Sequence, residues 1–280
     1  MEIRINGKKA DITIEHEKTI GEIMAGLEQW LANSGHRLSG LTLDGQTMNS
    51  LSLEDAFSRE IETVKILDIY TDSITDLAVM SLVSILEDIK EYESFSFTDR
   101  NDFFNTWKER PQSFFAAEQM PDLFSLCRDT FLNSGSGSSV LFSITEERLR
   151  ELQTPVKELE NMRPLIEDTS IRLVDLPLDI QTGKDSRAAQ TIQVFTGIAE
   201  KIFRILRQLD IQGYIPPEKP VSQLTGEFSN AAGDLLQAVE TQDTVLIGDL
   251  AEYEIAPRLR ELYDSIVKIS LETSAGENCK

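Results

Sequence analysis

The first residues alternate between apolar and polar positions, which predicts strands rather than a helix. Ile3 and Ile5 each have charged or polar neighbours, and a second alternating run ends at Ile14. Asn6 and Gly7 lie between the two runs and suit a tight turn, because both residue types tolerate a positive φ. A β-hairpin is therefore expected at the start of the chain.

Helical spacing follows over residues 20–31, where apolar side chains recur at steps of three and four. Thr19 can cap this helix while the Glu22 side chain bonds back to it, which is a capping box. A strand then turns back at Asp44, a short helical turn comes next, and residues 63–71 form a last strand. The predicted order is hairpin, helix, strand, strand, short helix, strand.

That order, over residues 1–71, resembles the ubiquitin-like β-grasp fold. The resemblance rests on the order and spacing of the elements and implies an α+β domain. Ubiquitin-like modifiers are conjugated through a free C-terminal Gly-Gly, whereas this last strand runs on into residues 72–280. We therefore expect a built-in docking or structural module, not a transferable tag or a sulfur carrier.

Helical periodicity takes over after residue 71, so an all-α helical bundle is expected to follow the β-grasp domain. Its first part, residues 72–133, is an aromatic-rich helical subdomain, because eight of the 13 phenylalanines fall between Phe95 and Phe131. These rings either form a core between short helices or line a groove for a partner helix. The candidate partner-binding residues are Phe103, Phe104, Trp107, Phe114 and Phe115.

Small polar residues mark residues 134–142 as a flexible linker. A helical bundle with long antiparallel helices is expected over residues 143–280, beginning with a second capping box that starts at Ser143. Pro155 and Pro164 are expected to kink or interrupt the helices that follow.

Two long apolar seams of coiled-coil type lie in the predicted bundle. The first seam comprises Ala188, Ile192, Phe195, Ala199, Ile202, Leu206 and Leu209. The second comprises Val221, Leu224, Phe228, Ala231, Leu235 and Val239. Matching seams with a short connection predict an antiparallel helical hairpin. The seams could equally join copies of the chain, so a homo-oligomer stays open.

A third helix is expected to start at its cap Asp243 and to kink or break at Pro257, because proline removes a hydrogen bond and clashes one turn back. Before the proline, the predicted buried face is Leu246, Leu250 and Tyr253. Beyond it, the predicted seam is Ile255, Leu259, Leu262, Ile266 and Ile269. The buried face therefore changes sides just before the proline.

The charges around this proline favour a solvated helix face over an active site. Glu254 precedes Arg258 by four residues, and Arg260 precedes Asp264 by four. Side chains four apart on a helix are neighbours, so both pairs can form surface ion pairs.

Candidates for catalytic or metal chemistry are few. Asp249 and Glu252 are the candidates for a metal or acid–base site, but no histidine accompanies them nearby, and the neighbouring Glu254 is expected to pair with Arg258. The two histidines, His16 and His36, are expected to be ordinary surface residues. The stretch QTGKDS lacks the first glycine of a phosphate-binding loop, since Leu178 takes that place. Neither a cofactor nor nucleophilic catalysis is expected.

The net charge of the chain indicates which classes of partner it can bind. The 280 residues carry a net charge of −21, which repels phosphate backbones and anionic membranes and attracts basic protein partners. Nucleic acid and membrane are therefore not expected as partners. The chain starts without the layout of a signal peptide, no apolar run is long enough to span a membrane, and Cys127 and Cys279 form no disulfide framework. A cytoplasmic protein is expected.

Together these patterns favour a non-enzymatic, acidic, cytoplasmic adaptor or scaffold that binds other proteins through its helical bundle. One alternative is a chaperone-like helper for a secreted or filament-forming protein, since acidic helical proteins with apolar grooves resemble the chaperones of type III and flagellar export in general character. Another alternative is a carboxylate metal-binding bundle or enzyme that uses Asp249 and Glu252 with carboxylates from other helices.

Overall fold

The computed structural model describes residues 1–12, 16–48, 52–96, 99–132, 137–216 and 221–277. Ile14, Phe97, Cys279 and residues 134–136 of the predicted linker lie outside these ranges. The chain divides into two compact units, Met1–Glu146 and Glu147–Lys280. Within the described parts of the chain, no helix is both long and apolar enough to cross a membrane.

A five-stranded mixed sheet opens the first unit. Its strands are β1 Glu2–Ile5, β2 Lys8–Lys9, β3 His36–Leu43, β4 Gln46–Thr47 and β5 Ile66–Ser73. They lie in the order β2-β1-β5-β3-β4, with β1 and β5 parallel and the other neighbours antiparallel. Helix α1, Ile20–Asn33, adds Ile23 and Met24 to the core that also contains Leu67. The predicted sheet-then-helix, α+β organisation is confirmed.

The predicted turn chemistry is confirmed in detail. Ile5 pairs with Lys8, so Asn6 and Gly7 alone form the hairpin turn, with φ values of 50° and 77°. Both central residues of such a tight turn need positive φ, which asparagine and glycine adopt at least cost. The paired part of the hairpin is shorter than predicted, because β2 ends at Lys9.

The helix α1 begins with the predicted capping box. The amide of Glu22 donates to the hydroxyl of Thr19 at 3.3 Å, and the amide of Thr19 donates to the Glu22 carboxylate at 3.4 Å. These bonds satisfy two of the amides that a helix start leaves without a partner.

The sheet and the aromatic helices belong to one compact unit, and the change from strand to helix falls at residues 73 and 74, close to the predicted division at residue 71. Strand β5 ends at Ser73 and helix α3 begins at Ile74. The helices of this part are α2 Leu53–Phe57, α3 Ile74–Ser94, α4 Phe103–Trp107, α5 Pro111–Gln119 and α6 Pro121–Leu132.

The unit boundary, after Glu146, falls inside helix α7, Ser138–Gln153. Helix α7 therefore includes residues 138–142, the second half of the predicted linker 134–142. Its first residues continue directly into an amphipathic helical run. Ser143 lies inside the helix, so the predicted capping box at this position is wrong.

The second unit is a helical bundle. Its helices are α8 Pro155–Asn161, α9 Arg163–Gln181, α10 Asp185–Ile211, α11 Val221–Glu240, α12 Thr244–Asp249 and α13 Ala256–Glu277, with a π-helical turn over Leu250–Ile255. Pro155 and Pro164 stand in the first turns of α8 and α9, where proline is tolerated, so they separate helices as predicted.

Both predicted seams are buried or partly buried in one core, but the predicted hairpin is not the main contact. Helix α10 packs most extensively against α9, and α11 against α13. The fully buried ring of Phe228 lies between α11 and α10, 6.0 Å from the ring of Phe195 and 5.9 Å from that of Phe203. Bulky rings, rather than close backbone packing, join these two helices.

Candidate docking surface

The predicted aromatic candidates do not share one surface. Phe103 and Trp107 are buried, Phe104 and Phe115 are half-buried, and Phe114 is 59% exposed. The rings of Phe103 and Trp107 lie within 5.2 Å of the Phe131 ring. For Phe103 and Trp107 the core interpretation holds, and a partner cannot reach them in this structure.

Trp107 is held in the core by an aspartate that the sequence reasoning missed. The buried carboxylate of Asp88 accepts bonds from Trp107 Nε1 at 2.8 Å and from Gln112 Nε2 at 2.7 Å, and it pairs with Arg110. Arg110 also pairs with Glu91 at 2.7 Å. A carboxylate with bonds to both oxygens is a satisfied structural group. Its signal was a charged residue in the middle of an apolar helix face.

Burial disfavours the thiolate form of the cysteine in this core. Cys127 is fully buried, and burial raises the pKa of its thiol to about 12, with a further increase from the negative charge of Asp88. The thiolate is the reactive form of cysteine. At neutral pH the thiol stays protonated and serves as a packing group.

In the second unit, Lys201 and Arg204 of α10 are paired with buried or half-buried carboxylates. Arg204 donates two bonds to Glu151, at 2.8 and 2.9 Å. Lys201 pairs with Glu147 and, at 3.3 Å, with Glu158. Glu151 and Glu158 are almost completely buried. Burying a carboxylate is costly unless it is paired and hydrogen-bonded, so these pairs stabilise the bundle where α10 meets the chain at residues 147–158.

Residues 221–257 differ from α10 because their carboxylates have no basic residues in the same stretch. This stretch holds α11, α12 and the π-helical turn and contains no lysine or arginine. Its seven carboxylates are Glu227, Asp234, Glu240, Asp243, Asp249, Glu252 and Glu254. The first five are exposed and the last two are half-buried. Among the described residues, Arg258 is the cation that pairs with one of them, Glu254. We call the exposed side of these elements the acidic surface.

The predicted buried face of α12 is wrong. Leu246 and Tyr253 are exposed, whereas Ile247, Gly248 and Ala251 are buried. The reason is a close helix contact: a Cβ atom on Gly248 would lie 3.1 Å from the Cβ of Pro177 in α9. The helix therefore turns its glycine, not its leucine, toward the bundle.

Apolar side chains consequently stand among the carboxylates of the acidic surface. Val245 is 71% exposed, Tyr253 is 64% exposed, and Leu236 and Leu246 are also exposed. Single exposed apolar residues are ordinary. Four of them on a strongly charged surface offer both apolar and electrostatic contacts to another protein.

A π-helical turn, Leu250–Ile255, lies where a kink or break was predicted. The amide of Ala256 donates to the carbonyl of Ala251, five residues earlier, which is the bond of a π-helix. In a regular α-helix the ring of Pro257 would clash with the carbonyl of residue 253. The wider turn precedes that proline, and the seam from Ile255 to Ile269 is buried beyond it, as predicted.

A cleft of about 390 Å³ lies between α11 and the π-helical turn. It is lined by Glu227, Asn230, Ala231 and Asp234 on one side and by Leu250, Glu254 and Arg258 on the other. Three carboxylates face one guanidinium, which already pairs with Glu254. The surplus of negative charge suits an ammonium or guanidinium group. We call this cleft the acidic groove. Leu246, which does not line the cleft, is exposed one turn before Leu250.

Asp249 and Glu252 lie beside this groove, on the acidic surface. A hydrogen bond with Glu252, together with the charges of Glu252 and Asp249, raises the pKa of the Tyr253 hydroxyl. No set of three or more His, Cys, Asp or Glu side chains placed to hold a metal occurs among the described residues. In the described structure, Asp249 and Glu252 add negative charge around Tyr253.

Of the two predicted ion pairs, one is confirmed. Glu254 and Arg258 form the pair expected from their spacing. Asp264 is instead 3.6 Å from Arg163 at the start of α9.

Comparison with known proteins adds family relationships for both parts of the chain. A family model described as the TP0873 N-terminal domain matches residues 1–73, which end with strand β5. A model described as a domain of unknown function (DUF8042) matches residues 157–265, which include the whole acidic surface. The chain is similar to both families.

One relative is similar along nearly the whole chain. It is a protein of Treponema pallidum (strain Nichols) that bears the name "Uncharacterized protein". The two are 21% identical over 275 residues, which cover 97% of this chain and 98% of the relative. No solved structure matches the chain.

Proposed function

We propose that the protein is a non-enzymatic, cytoplasmic adaptor or scaffold that binds another protein through its helical bundle. The observation that carries the proposal is the acidic surface, where carboxylates and exposed apolar side chains share three consecutive helical elements. Accumulated like charge destabilises a folded protein by self-repulsion. Lys201 and Arg204 of α10 are paired with carboxylates, whereas the carboxylates of α11 and α12 lack nearby basic residues in their own helices. This difference supports a binding role for α11 and α12.

The charge also defines which partners fit. A surface rich in carboxylates and free of lysine and arginine repels phosphate backbones and anionic lipid headgroups. It attracts a basic protein surface and raises the rate of encounter with it. We therefore favour a basic protein partner over a nucleic acid or a membrane.

The N-terminal sheet is assigned a supporting role in this proposal. We propose that residues 1–73 adopt the ubiquitin-like β-grasp fold, supported by a central parallel pair of strands, two hairpins and one helix over a five-stranded sheet. Such a module can present an additional docking surface, while the charged partner site stays on the bundle.

The proposal is tested by capture of partners from native lysate. The full-length protein is compared with a variant that carries Asp234→Asn, Glu240→Gln and Asp249→Asn on the acidic surface. A matched control removes three exposed carboxylates of the first unit, with Glu28→Gln, Glu62→Gln and Glu87→Gln. We expect one protein to be retained in stoichiometric amount by the wild type and the control, and to be lost from the acidic-surface variant.

Each outcome of this capture has a meaning. A partner that is itself secreted or filament-forming would favour the chaperone-like version of the proposal. A partner retained equally by all three proteins would keep the adaptor and remove the acidic surface as its site. Recovery of no stoichiometric partner by the wild type would contradict the adaptor proposal.

A further inference from the structure

The acidic groove has the form of a docking site for a helix. Its walls are two neighbouring helical elements, α11 and the π-helical turn, whose backbone groups are engaged within their own helices. An extended peptide gains affinity by pairing with a free strand edge, and this groove offers none. A helix needs only side-chain contacts, so it matches such walls better.

Leu250, which lines the groove, forms a short apolar line with the exposed Leu246 one turn before it. Leu246 precedes Leu250 by four residues, so the two lie one turn apart on the same side of their helix. Leu246 is exposed and Leu250 is half-buried. A partner helix could place apolar residues one turn apart over this pair.

Charge lies on both sides of that apolar line. Glu227 and Asp234 face the groove from α11, seven residues apart, and Glu254 faces it from the opposite wall. A spacing of seven residues is two helical turns, or about 10 Å. Basic side chains two turns apart on a partner helix would meet both α11 carboxylates.

We propose that the acidic groove binds a short basic amphipathic helix of a partner protein, with lysine or arginine side chains against Glu227 and Asp234 and an apolar face over Leu246 and Leu250. This inference rests on the proposed adaptor function and names its partner class. A second copy of this chain is the poorer occupant, because two acidic surfaces brought together repel each other.

The test uses a defined probe and the full-length protein. The probe is a fluorescein-labelled, 18-residue peptide of leucine and lysine, with leucine at helical i, i+3, i+4, i+7 spacing. A second peptide has the same composition in scrambled order and cannot form an apolar face. We expect the amphipathic peptide to bind at least about tenfold more tightly than the scrambled one, measured by fluorescence anisotropy.

Variants locate the binding. Asp234→Lys replaces attraction by repulsion, and Leu246→Asp removes the apolar contact, so each is expected to weaken binding about tenfold. Glu87→Lys, an exposed residue of α3 in the first unit, is the matched control and is expected to change affinity less than about twofold. Binding should also weaken as salt is raised from about 50 to 300 mM.

Two results would overturn the inference. One is equal weakening by Asp234→Lys and Glu87→Lys, which would show attraction to net charge alone. The other is equal binding of the amphipathic and scrambled peptides. If either occurs while the lysate partner is still lost from the acidic-surface variant, the adaptor proposal stands and only the helical partner class falls.

Discussion

Helices α10 and α11 both bury an apolar seam, but their charged residues differ: α10 carries cations paired with carboxylates, and α11 carries only carboxylates. On α10, Lys201 and Arg204 are matched to buried or half-buried carboxylates. On α11, Glu227 and Asp234 are exposed and no basic residue occurs in the helix. Judged only by their buried apolar seams, both helices would be assigned to the core of the bundle. The difference in charge balance separates a helix that stabilises the bundle from one that is available to a partner.

The largest expected effect comes from the ring that joins the two helices. Phe228→Ala removes a fully buried ring that contacts Phe195 and Phe203. The lost burial and the cavity left behind should lower the free energy of unfolding by about 3–5 kcal/mol. Urea denaturation followed by circular dichroism measures it. Leu236→Ala, an exposed position on the same helix, is the control and should change stability by less than about 0.5 kcal/mol.

The ion pairs of α10 give the next largest effect. Glu151→Ala leaves Arg204 without the carboxylate that accepts two of its bonds. Loss of one partner from a buried pair costs about 3–5 kcal/mol, and the partial exposure of Arg204 reduces the expected loss to about 2 kcal/mol.

A double variant checks the cause of that loss. Glu151→Met with Arg204→Met removes both charges and keeps apolar volume, so it should be more stable than Glu151→Ala alone. If the double variant is the less stable of the two, the loss of the Glu151 carboxylate from Arg204 is not the reason for the lower stability, and the pairing interpretation of α10 fails.

Neutralising a carboxylate should raise the free energy of unfolding on the acidic surface and lower it beside α10. Asp234→Asn with Glu240→Gln reduces repulsion on the acidic surface and should raise the free energy of unfolding by about 0.5 kcal/mol at low salt. Glu147→Gln removes the carboxylate paired with Lys201 and should lower it by a similar amount. Both effects should shrink in about 0.5 M salt. If both variants change the free energy of unfolding in the same direction, measured by thermal or urea unfolding, the proposed difference in charge pairing between the two regions is wrong.

Several features that short-range rules determine were predicted from the sequence, although the capping box at Ser143 was not among the correct ones. The turn at Asn6 and Gly7, the capping box at Thr19 and the cap at Asp243 depend on neighbouring residues, and each is present. The long seams were also predictable, because helical spacing places their side chains on one face whichever helix covers them.

Contacts between distant residues were not predictable in this way. The buried face of α12 is set by Gly248 against Pro177, and neither residue type carries an apolar signal. Asp88 stands out in the sequence as a charge on an apolar helix face, but its spacing does not reveal that it accepts the indole hydrogen of Trp107. The acidic surface did have a sequence signal, the absence of lysine and arginine from residues 221–257, but only the structure shows which of its side chains are exposed.

The smallest expected effect uses Tyr253 as a reporter of the acidic surface. Its hydroxyl has a raised pKa, first through the hydrogen bond with Glu252 and then through the charges of Glu252 and Asp249. Glu252→Gln removes a negative charge that opposes formation of the tyrosinate, so the pKa of Tyr253 should fall toward that of an ordinary tyrosine. Asp249→Asn should lower the pKa by a smaller amount, since its charge contributes less.

The tyrosinate absorbance of each protein, minus that of the same protein with Tyr253→Phe, isolates this group from the other four tyrosines of the chain. Arg258 marks the edge of the acidic surface, and Glu254→Gln frees it from its carboxylate partner. That variant also lowers the local negative charge, so it should move the pKa of Tyr253 in the same direction. A pKa that stays unchanged in all three variants would mean that solvent screens the carboxylates completely. In that case Asp249, Glu252 and Glu254 would not attract a basic helix by charge, and the contrast with α10 would depend on Glu227 and Asp234 of α11 alone.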